Sequence, residues 1–377
     1  MIIVTPDIVN GVCSGENTGS ITILVTGGIP PYTYQWTRNG VFFSTDKDIY
    51  NLSSGTYSVV VTDNVGNTST NSVVKVYDFL GATGHTPLGN LIQYNNLLYG
   101  LCSQGVNSGV NGTIFKTTLG GTLTRIYTFD PTTGTNPQAA LMLASDGLMY
   151  GTAPNDGANS KGVIFSFDPV TETYTDLYDF TGTDGGFPHC TLIEVSGTLY
   201  GTTRDGGTND LGVIFSYVIA TNTYTKLFDM AAATGSNPEG SLILYGSGVF
   251  YGTARGGGAN SKGVLFSFNT TGNVYTDVYD FGGVDGDLPR GDLLLASNRF
   301  MYGLTFQGGV NNLGVIFKFN PATATYTKLF DFTTLLGANP KGSLIEANGL
   351  LYGLTSLGGV NNEGVIFTFN LLSNTSL

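Results

Sequence analysis

Few side chains of this sequence combine a reactive type with a spacing that would support catalysis. Its two histidines, His85 and His189, lie far apart in separate proline-containing loops. A hydrolytic triad or a zinc centre needs a histidine held beside partner residues, and neither the required cluster nor a G-x-S-x-G string is present. Acidic residues offer two weaker options: Asp184, Asp285 and Asp287 could pair for glycoside hydrolysis, or the string GGVDGDLP could bind calcium. Equivalent loops lack these acids, so the sequence predicts no catalytic residue, no metal and no cofactor.

A second group of side chains varies within surroundings that are otherwise repeated. One set follows a recurring proline, and the other lies shortly after a recurring Tyr-Gly pair. The first set is Gln138, His189, Glu239, Arg290 and Lys341; the second is Gln104, Asn155, Arg204, Arg255 and Phe306. Variation within a constant frame is how a scaffold builds a specific site, so these ten residues are predicted to bind a ligand. The alternative is that they are simply exposed and unconstrained.

The frame that carries these residues is a sixfold internal repeat. The string LYG, MYG or FYG recurs every 50 or 51 residues, and a G-[VT]-[IL]-F string and a lone proline recur with it in constant order. The six tyrosines of the first marker are Tyr99, Tyr150, Tyr200, Tyr251, Tyr302 and Tyr352. Periodicity of this length is the signature of a repeat architecture.

Each repeat predicts four short antiparallel strands and no helix. In residues 188–230 the strands are LIEV, LYGT, GVIF and YTKLFD, separated by the turns SG and IATN and by a Gly/Asn/Asp loop. Four strands per repeat are typical of a β-propeller blade, so an all-β, six-bladed propeller is predicted. Strand direction places the proline loops and the Gly/Asn loops on one face, which brings the ten candidate residues to that face.

The string VVKVYDF at 73–79 resembles the fourth strand of a repeat but stands before the first one. The sixth repeat ends in GVIFTFNLLSNTSL, which shows no fourth strand of its own. Pairing of 73–79 with 365–370 would close the ring and remove an open sheet edge. This predicts two domains: an N-terminal β-sandwich at 1–72 and a propeller at 73–377 that is closed by the strand 73–79.

The bulk composition restricts the partners. Charged residues make up 11% of the chain, the net charge is −12, and no basic stripe is present, which argues against nucleic acid. No run of 18 apolar residues occurs, so insertion into a membrane is not expected. The first residues lack the basic start and apolar core of a secretory signal. Either a signal has been removed or the protein assembles inside a cell, as virion proteins do.

The repeat strings also resemble known families. The layout of strand, Gly pair, strand and T-x-T-Y-x-x-L is similar to a kelch repeat, and G-x-x-P, LYG-T-T, GG-x-N and G-V-I-F together resemble the GloVer tandem repeat of large bacterial surface proteins. That resemblance covers about 300 residues and implies an extracellular propeller-like domain without a known activity. Residues 19–67, with GGIPPYTYQW and LSSGTYSVVVTD, resemble an SprB-type adhesin repeat, an Ig/PKD-like β-sandwich with Trp36 in its core.

Together these observations predict a non-enzymatic protein that is extracellular, on a cell surface or on a virion surface. Its predicted role is adhesion, with a surface glycan or a receptor protein as partner, alongside other subunits of a surface or virion assembly. Two alternatives stay open. One is a purely structural spacer or decoration protein, and the less favoured one is a glycan lyase or hydrolase acting on the loop face.

Overall fold

The computed structural model describes residues 3–9, 19–52, 55–76, 84–105, 111–118, 123–371 and 375–376. Within these residues the chain forms antiparallel β-sheets and one short 3₁₀ helix at Ile219–Thr221, so the predicted all-β class is confirmed. The chain divides into two compact units. The first contains Met1–Pro87 and Gln93–Thr128, and the second contains Leu88–Ile92 and Phe129–Leu377.

The N-terminal residues form two sheets around an apolar core. The strands are β1 (Ile3–Val9), β2 (Gly19–Thr26), β3 (Thr33–Arg38), β4 (Val41–Ser44), β5 (Ile49–Leu52), β6 (Gly55–Thr62) and β7 (Thr68–Val76). Their order is β1-β2-β5 in one sheet and β4-β3-β6-β7 in the other. Trp36 is buried with Ile21 and Tyr57, as predicted, and its indole nitrogen donates to the carbonyl of Asp46 at 2.9 Å.

The predicted closing strand is wrong for residues 73–76. They belong to β7, which pairs with β6 in the register Thr56↔Lys75 and Tyr57↔Val74, and residues 77–79 lie outside the described part of the chain. The Asp63 carboxylate organises the connecting turn by accepting the backbone N–H groups of Val65 and Asn67. Closing this short turn costs far less chain entropy than pairing with a strand some three hundred residues away. The predicted boundary between 72 and 73 therefore falls inside a strand.

The first repeat forms a sheet whose strands lie in the first unit, apart from one end of β9. Its strands are β8 (His85–Pro87), β9 (Ile92–Tyr94), β10 (Leu97–Gln104), β11 (Thr113–Thr118) and β12 (Leu123–Thr128). The order is β12-β11-β10-β8, and β9 also pairs with β10.

The other five repeats form five sheets in the second unit. The second repeat has β13 (Met142–Leu143), β14 (Met149–Ala153), β15 (Val163–Asp168) and β16 (Thr173–Asp179); the third has β17 (Ile193–Val195), β18 (Thr198–Thr203), β19 (Val213–Val218) and β20 (Thr223–Asp229); the fourth has β21 (Ile243–Tyr245), β22 (Val249–Ala254), β23 (Val264–Asn269) and β24 (Val274–Asp280). The fifth has β25 (Asp287–Pro289), β26 (Leu294–Leu295), β27 (Met301–Gln307), β28 (Val315–Asn320) and β29 (Thr325–Asp331); the sixth has β30 (Ile345–Ala347), β31 (Leu350–Leu354), β32 (Ile366–Asn370) and β33 (Thr375–Ser376). Strands that follow one another within a repeat pair antiparallel, as predicted for 188–230, except that β25 and β26 of the fifth repeat both pair with β27. The sixth repeat has its own fourth strand, β33, which pairs with β32, contrary to the expectation that it lacked one.

The two main sequence markers are coupled by packing inside each sheet. In the third repeat a Cβ atom on Gly201 would lie 2.7 Å from the ring of Phe215 on the neighbouring strand. The same close approach joins Gly151 to Phe165 and Gly252 to Phe266. Only glycine leaves room for the phenylalanine ring, which explains why LYG and G-V-I-F recur together.

Successive sheets of the second unit pack face to face. Ile164 of the second repeat shares a core with Leu192 and Phe215 of the third, and this pattern continues to the sixth repeat. Stacked rings join the fourth strands, as in Tyr178 and Tyr224, whose ring centroids lie 4.0 Å apart. The sheets therefore bury their apolar faces only against their neighbours, as a repeat architecture requires.

The sixth sheet has one apolar face that the described residues leave uncovered. Ile366 is 78% exposed, whereas its equivalents Ile164, Ile214 and Ile316 are at most 1% exposed. Leu354 is 59% exposed, against 4% for its equivalent Leu304. This face has the composition of an inter-sheet core.

Candidate functional site

The segments that follow the recurring prolines line one cavity in the second unit. Its volume is about 620 Å³, and all six repeats contribute to its wall. The polar part of the wall contains Asn90, Gln138, His189, Thr191, Ser241, Arg290, Asp292, Lys341 and Ser343. Leu344, Ile345, Leu354 and Ile366 form an apolar part at the sixth repeat. The post-proline segments therefore converge on one cavity.

A ladder of hydrogen bonds holds these segments together. At the third position after the proline, a backbone N–H donates to the side-chain oxygen at the same position of the next repeat. The links run from Ala140 to Thr191 (3.0 Å), Thr191 to Ser241 (2.9 Å), Ser241 to Asp292 (2.6 Å) and Asp292 to Ser343 (2.9 Å). We call this the inner ladder. It fixes the spacing of the segments that present the post-proline side chains.

The inner ladder was missed by sequence reasoning, although the sequence contains a signal for it. The third residue after each proline is Asn90, Ala140, Thr191, Ser241, Asp292 or Ser343, so five of the six carry a side-chain acceptor. Small polar residues at one fixed position inside an apolar pattern indicate side-chain bonding to the backbone.

Four charged side chains and one aromatic ring form a connected group that we call the charged rim. Its members are Arg255, Glu239, Arg290 and Lys341, together with Phe306. Glu239 accepts from Arg255 at 3.0 Å, and its second oxygen lies 3.7 Å from Nε of Arg290. The guanidinium of Arg290 lies 4.4 Å from the ring centroid of Phe306, and Nζ of Lys341 lies 5.7 Å from the same centroid. Three successive repeats thus contribute to one polar group.

His189 is the titratable centre of the neighbouring part of the wall. Its Nδ1 lies 3.2 Å from the side-chain oxygen of Gln138. Burial, together with the Arg204 guanidinium, lowers the pKa of His189 to about 4, while Glu239 and Asp205 act in the opposite direction. The imidazole is therefore neutral near pH 7 and can donate from one nitrogen and accept at the other.

The ten predicted site residues divide into three groups. Gln138, His189, Arg290 and Lys341 line the cavity. Glu239, Arg255, Phe306 and Arg204 join them through the charged rim or the electrostatic interaction with His189. Gln104 and Asn155 do not line the cavity: Gln104 is exposed at the end of β10, and the backbone of Asn155 bridges to Thr135.

The other reactive side chains are engaged in structural contacts. Asp287 pairs with Lys262 at 2.7 Å, Asp184 accepts from Tyr178 at 2.6 Å, and Asp285 accepts the hydroxyl of Tyr279. Cys102 and Cys190 are buried, and burial raises the pKa of each thiol to about 11. Cys13 lies outside the described residues.

Solved structures with a similar fold exist at low sequence identity. A putative 6-phosphogluconolactonase from Bacteroides uniformis is 13% identical, with a TM-score of 0.53 and coverage of 92% of this chain and 94% of its own. A putative 6-phosphogluconolactonase from Bacteroides fragilis is 15% identical, with a TM-score of 0.52 and coverage of 92% and 93%. At these identities the likeness shows the fold alone, which is all-β and propeller-like.

These neighbours correct one expectation from the sequence. The chain was predicted not to be an enzyme, because it lacks a recognisable catalytic cluster. That inference is wrong, since a fold like this one occurs in proteins named as enzymes. The lack of a familiar motif therefore does not exclude catalysis on this scaffold.

Family models match nearly the whole chain. No curated protein sequence matches it. The SprB repeat matches residues 5–41, and this repeat is typical of surface proteins.

Among the residues that the structure describes, no helix has the length and apolar character needed to cross a membrane. The Gloeobacter/Verrucomicrobia repeat matches residues 25–169, 108–298 and 244–376, and both families indicate a surface or adhesin-like repeat protein. The chain therefore belongs to the Gloeobacter/Verrucomicrobia repeat family.

Proposed function

We propose that the chain is displayed on a bacterial cell surface and binds a saccharide in the cavity of the second unit. The observation that carries this proposal is the convergence of non-identical polar side chains on one cavity. Gln138, His189, Arg290 and Lys341 occupy the same position in four repeats and line the same wall. A regular frame thus presents an irregular set of donors and acceptors, which is what selective recognition needs.

The shape of the site favours a small polar ligand over a broad protein partner. A volume of about 620 Å³ lies in the range of small-molecule sites, and the site is concave. The neutral His189, the amide of Gln138 and the hydroxyls of the inner ladder can all bond to sugar hydroxyls. The surface-protein character of both repeat families supports contact with extracellular glycans.

A glycan array tests this function. Wild-type protein is expected to bind a restricted set of saccharides, and the double variant Gln138→Ala/His189→Ala should lose at least about tenfold in affinity because it removes two hydrogen-bonding groups. Asn155→Ala is the matched control, since Asn155 occupies a predicted site position in the second unit but does not line the cavity. Binding that survives in the double variant, or an array without any bound saccharide, would contradict the proposal and favour a structural spacer.

We also propose that the six repeats are the six blades of one closed ring. Two observations support this. The inner segment of the first repeat, Leu88–Ile92, lies in the second unit and lines the same cavity as Lys341 and Ser343 of the sixth repeat. The exposed apolar face around Ile366 has the composition of a face that another sheet covers. Such a sheet would cover Leu354 and Ile366, the apolar part of the cavity wall, and would leave its polar part open.

For the N-terminal module we propose an Ig-like sandwich. The two sheets β1-β2-β5 and β4-β3-β6-β7 bury one shared core around Trp36, which is the arrangement of a β-sandwich. Urea unfolding followed by Trp36 fluorescence tests whether the module unfolds as a cooperative sandwich. Since Trp36 is the sole tryptophan of the chain, its signal reports on this core alone.

A further inference from the structure

The predicted site positions are basic in a chain that is acidic overall. The chain has 15 Lys and Arg against 27 Asp and Glu. Among the ten predicted site residues the balance is reversed, with Arg204, Arg255, Arg290 and Lys341 against Glu239 alone. A positively charged site in a negatively charged protein indicates that the ligand is negatively charged, because the local positive potential attracts anions.

Protein carboxylates compensate two of these four cations closely. Asp205 lies 2.7 Å from Arg204, and Glu239 lies 3.0 Å from Arg255. Asp292 also lines the cavity, but among the described residues its carboxylate lies beyond 4.0 Å from the charged nitrogens of Arg290 and Lys341, and its Oδ1 accepts the backbone N–H of Ser241 at 2.6 Å. Of these four cations, the two whose positive charge is least compensated therefore both belong to the charged rim.

Arg290 and Lys341 are that pair. Nε of Arg290 is buried and has no hydrogen-bond partner among the described residues, since the oxygen of Glu239 lies 3.7 Å away. For Lys341 the described residues provide no carboxylate oxygen within 4.0 Å of Nζ. Both cations lie over the ring of Phe306, so they are held near one another on the same support.

We infer that the saccharide bound by the cavity is acidic and that its carboxylate is bound by Arg290 and Lys341. This inference rests on the proposed function and specifies its ligand class. Arginine offers several donors in a planar fork, and lysine adds a mobile point charge, so the two together suit a carboxylate. Bound there, the carboxylate would compensate the charge that Glu239 reaches only at long range.

Calorimetry with paired ligands tests the inference. The probes are oligosaccharides that carry uronic acid or sialic acid, each compared with its carboxyl-reduced neutral counterpart. The acidic member of at least one pair should bind at least about tenfold more tightly, and high salt should weaken its binding. Arg290→Gln and Lys341→Gln should each lose about tenfold towards the acidic member and little towards the neutral one.

Lys318→Gln is the matched control. Nζ of Lys318 also lies over a phenylalanine ring of the fifth repeat, 5.4 Å from the centroid of Phe300, but Lys318 does not line the cavity. It should bind like wild type, and Arg290→Lys should recover part of the loss in Arg290→Gln. If the acidic and neutral members of each pair bind equally, and Lys341→Gln leaves both affinities unchanged, the inference of an acidic ligand is wrong. Saccharide binding as such would still hold. If no acidic or neutral member of any pair binds, the proposed function itself is contradicted.

Discussion

His189 combines a wall position in the cavity with an unusual protonation equilibrium. Its pKa is lowered to about 4 by burial and by Arg204, against the opposing effect of Glu239 and Asp205. A histidine whose pKa is lower in the folded than in the unfolded chain destabilises the fold when it becomes protonated. The neutral His189 therefore makes its full contribution to the free energy of unfolding above about pH 6.5, and this contribution is lost as the pH falls towards 4.

Replacing His189 by glutamine should reduce the acid sensitivity of the protein. We expect the loss in unfolding free energy between pH 7 and pH 4.5 to become smaller by roughly 2 kcal/mol, because the variant has no imidazole to protonate. Urea unfolding at the two pH values measures this difference. Gln138→Leu removes the hydrogen-bond partner but keeps the imidazole, so the acid sensitivity should persist. If both variants behave alike, the hydrogen bond and not the titration is responsible.

At the residue scale, the sequence was most informative where one side chain sets the local geometry. The glycine of LYG and the phenylalanine of G-V-I-F could be recognised as markers because no other pair fits the close approach seen at Gly201 and Phe215. The post-proline positions could be singled out because they vary within that frame, and their role in binding stays a prediction. The ion pairs of Glu239 could not, since they depend on which side chains of different repeats face one another.

The fourth strands alternate between two electrostatic solutions at one position. In β20 and β29 a lysine pairs with the aspartate three residues later, as in Lys226 and Asp229 at 2.9 Å. In β16 and β24 that lysine is replaced by Asp176 or Asp277. Burial, with Asp179 nearby, raises the pKa of Asp176 to about 6, and one of its oxygens has no hydrogen-bond partner among the described residues. The second and fourth repeats thus hold two like charges where the third and fifth hold an ion pair.

Introducing Asp176→Lys should stabilise the second repeat above pH 6. A carboxyl with a raised folded pKa favours folding below about pH 4 and loses that contribution as the pH rises through 6. Because Asp176 is half-exposed, solvent screening limits the expected gain at pH 7.5 to about 1 kcal/mol. Thermal unfolding at pH 4 and pH 7.5 measures it. The reciprocal change Lys226→Asp should destabilise at pH 7.5; a gain in that variant would contradict the explanation.

Strand order within each repeat could be predicted from the sequence because every connection inside a repeat is short. The closing strand could not. VVKVYDF has the composition of a fourth strand, but β7 already had a partner in β6 across a turn of a few residues. The similarity of VVKVYDF to the fourth strands of the repeats did not reveal that it would pair with β6, which is nearer along the chain, and not with the sixth repeat.

At the scale of the whole molecule, the exposed face of the sixth sheet tests the closed ring. Ile366→Asp should lower stability by about 2 to 4 kcal/mol if another sheet covers this face, because a charge would then be buried in an apolar core. Val360→Asp is the control, since Val360 is 91% exposed in the same repeat and lies outside that face. Thermal unfolding of the two variants gives the comparison. Equal melting temperatures would show that the sixth sheet stays uncovered.

The inner ladder has a direction, because each repeat from the second to the fifth donates a backbone N–H and the next repeat accepts with a side chain. Ala140 can donate to Thr191, but its methyl group cannot accept from the repeat that precedes it. This makes the junction between the first and second repeats a point at which local opening should begin, and amide exchange near Asn90 should be faster than near Ser241. Ala140→Ser supplies the missing acceptor and should slow that exchange.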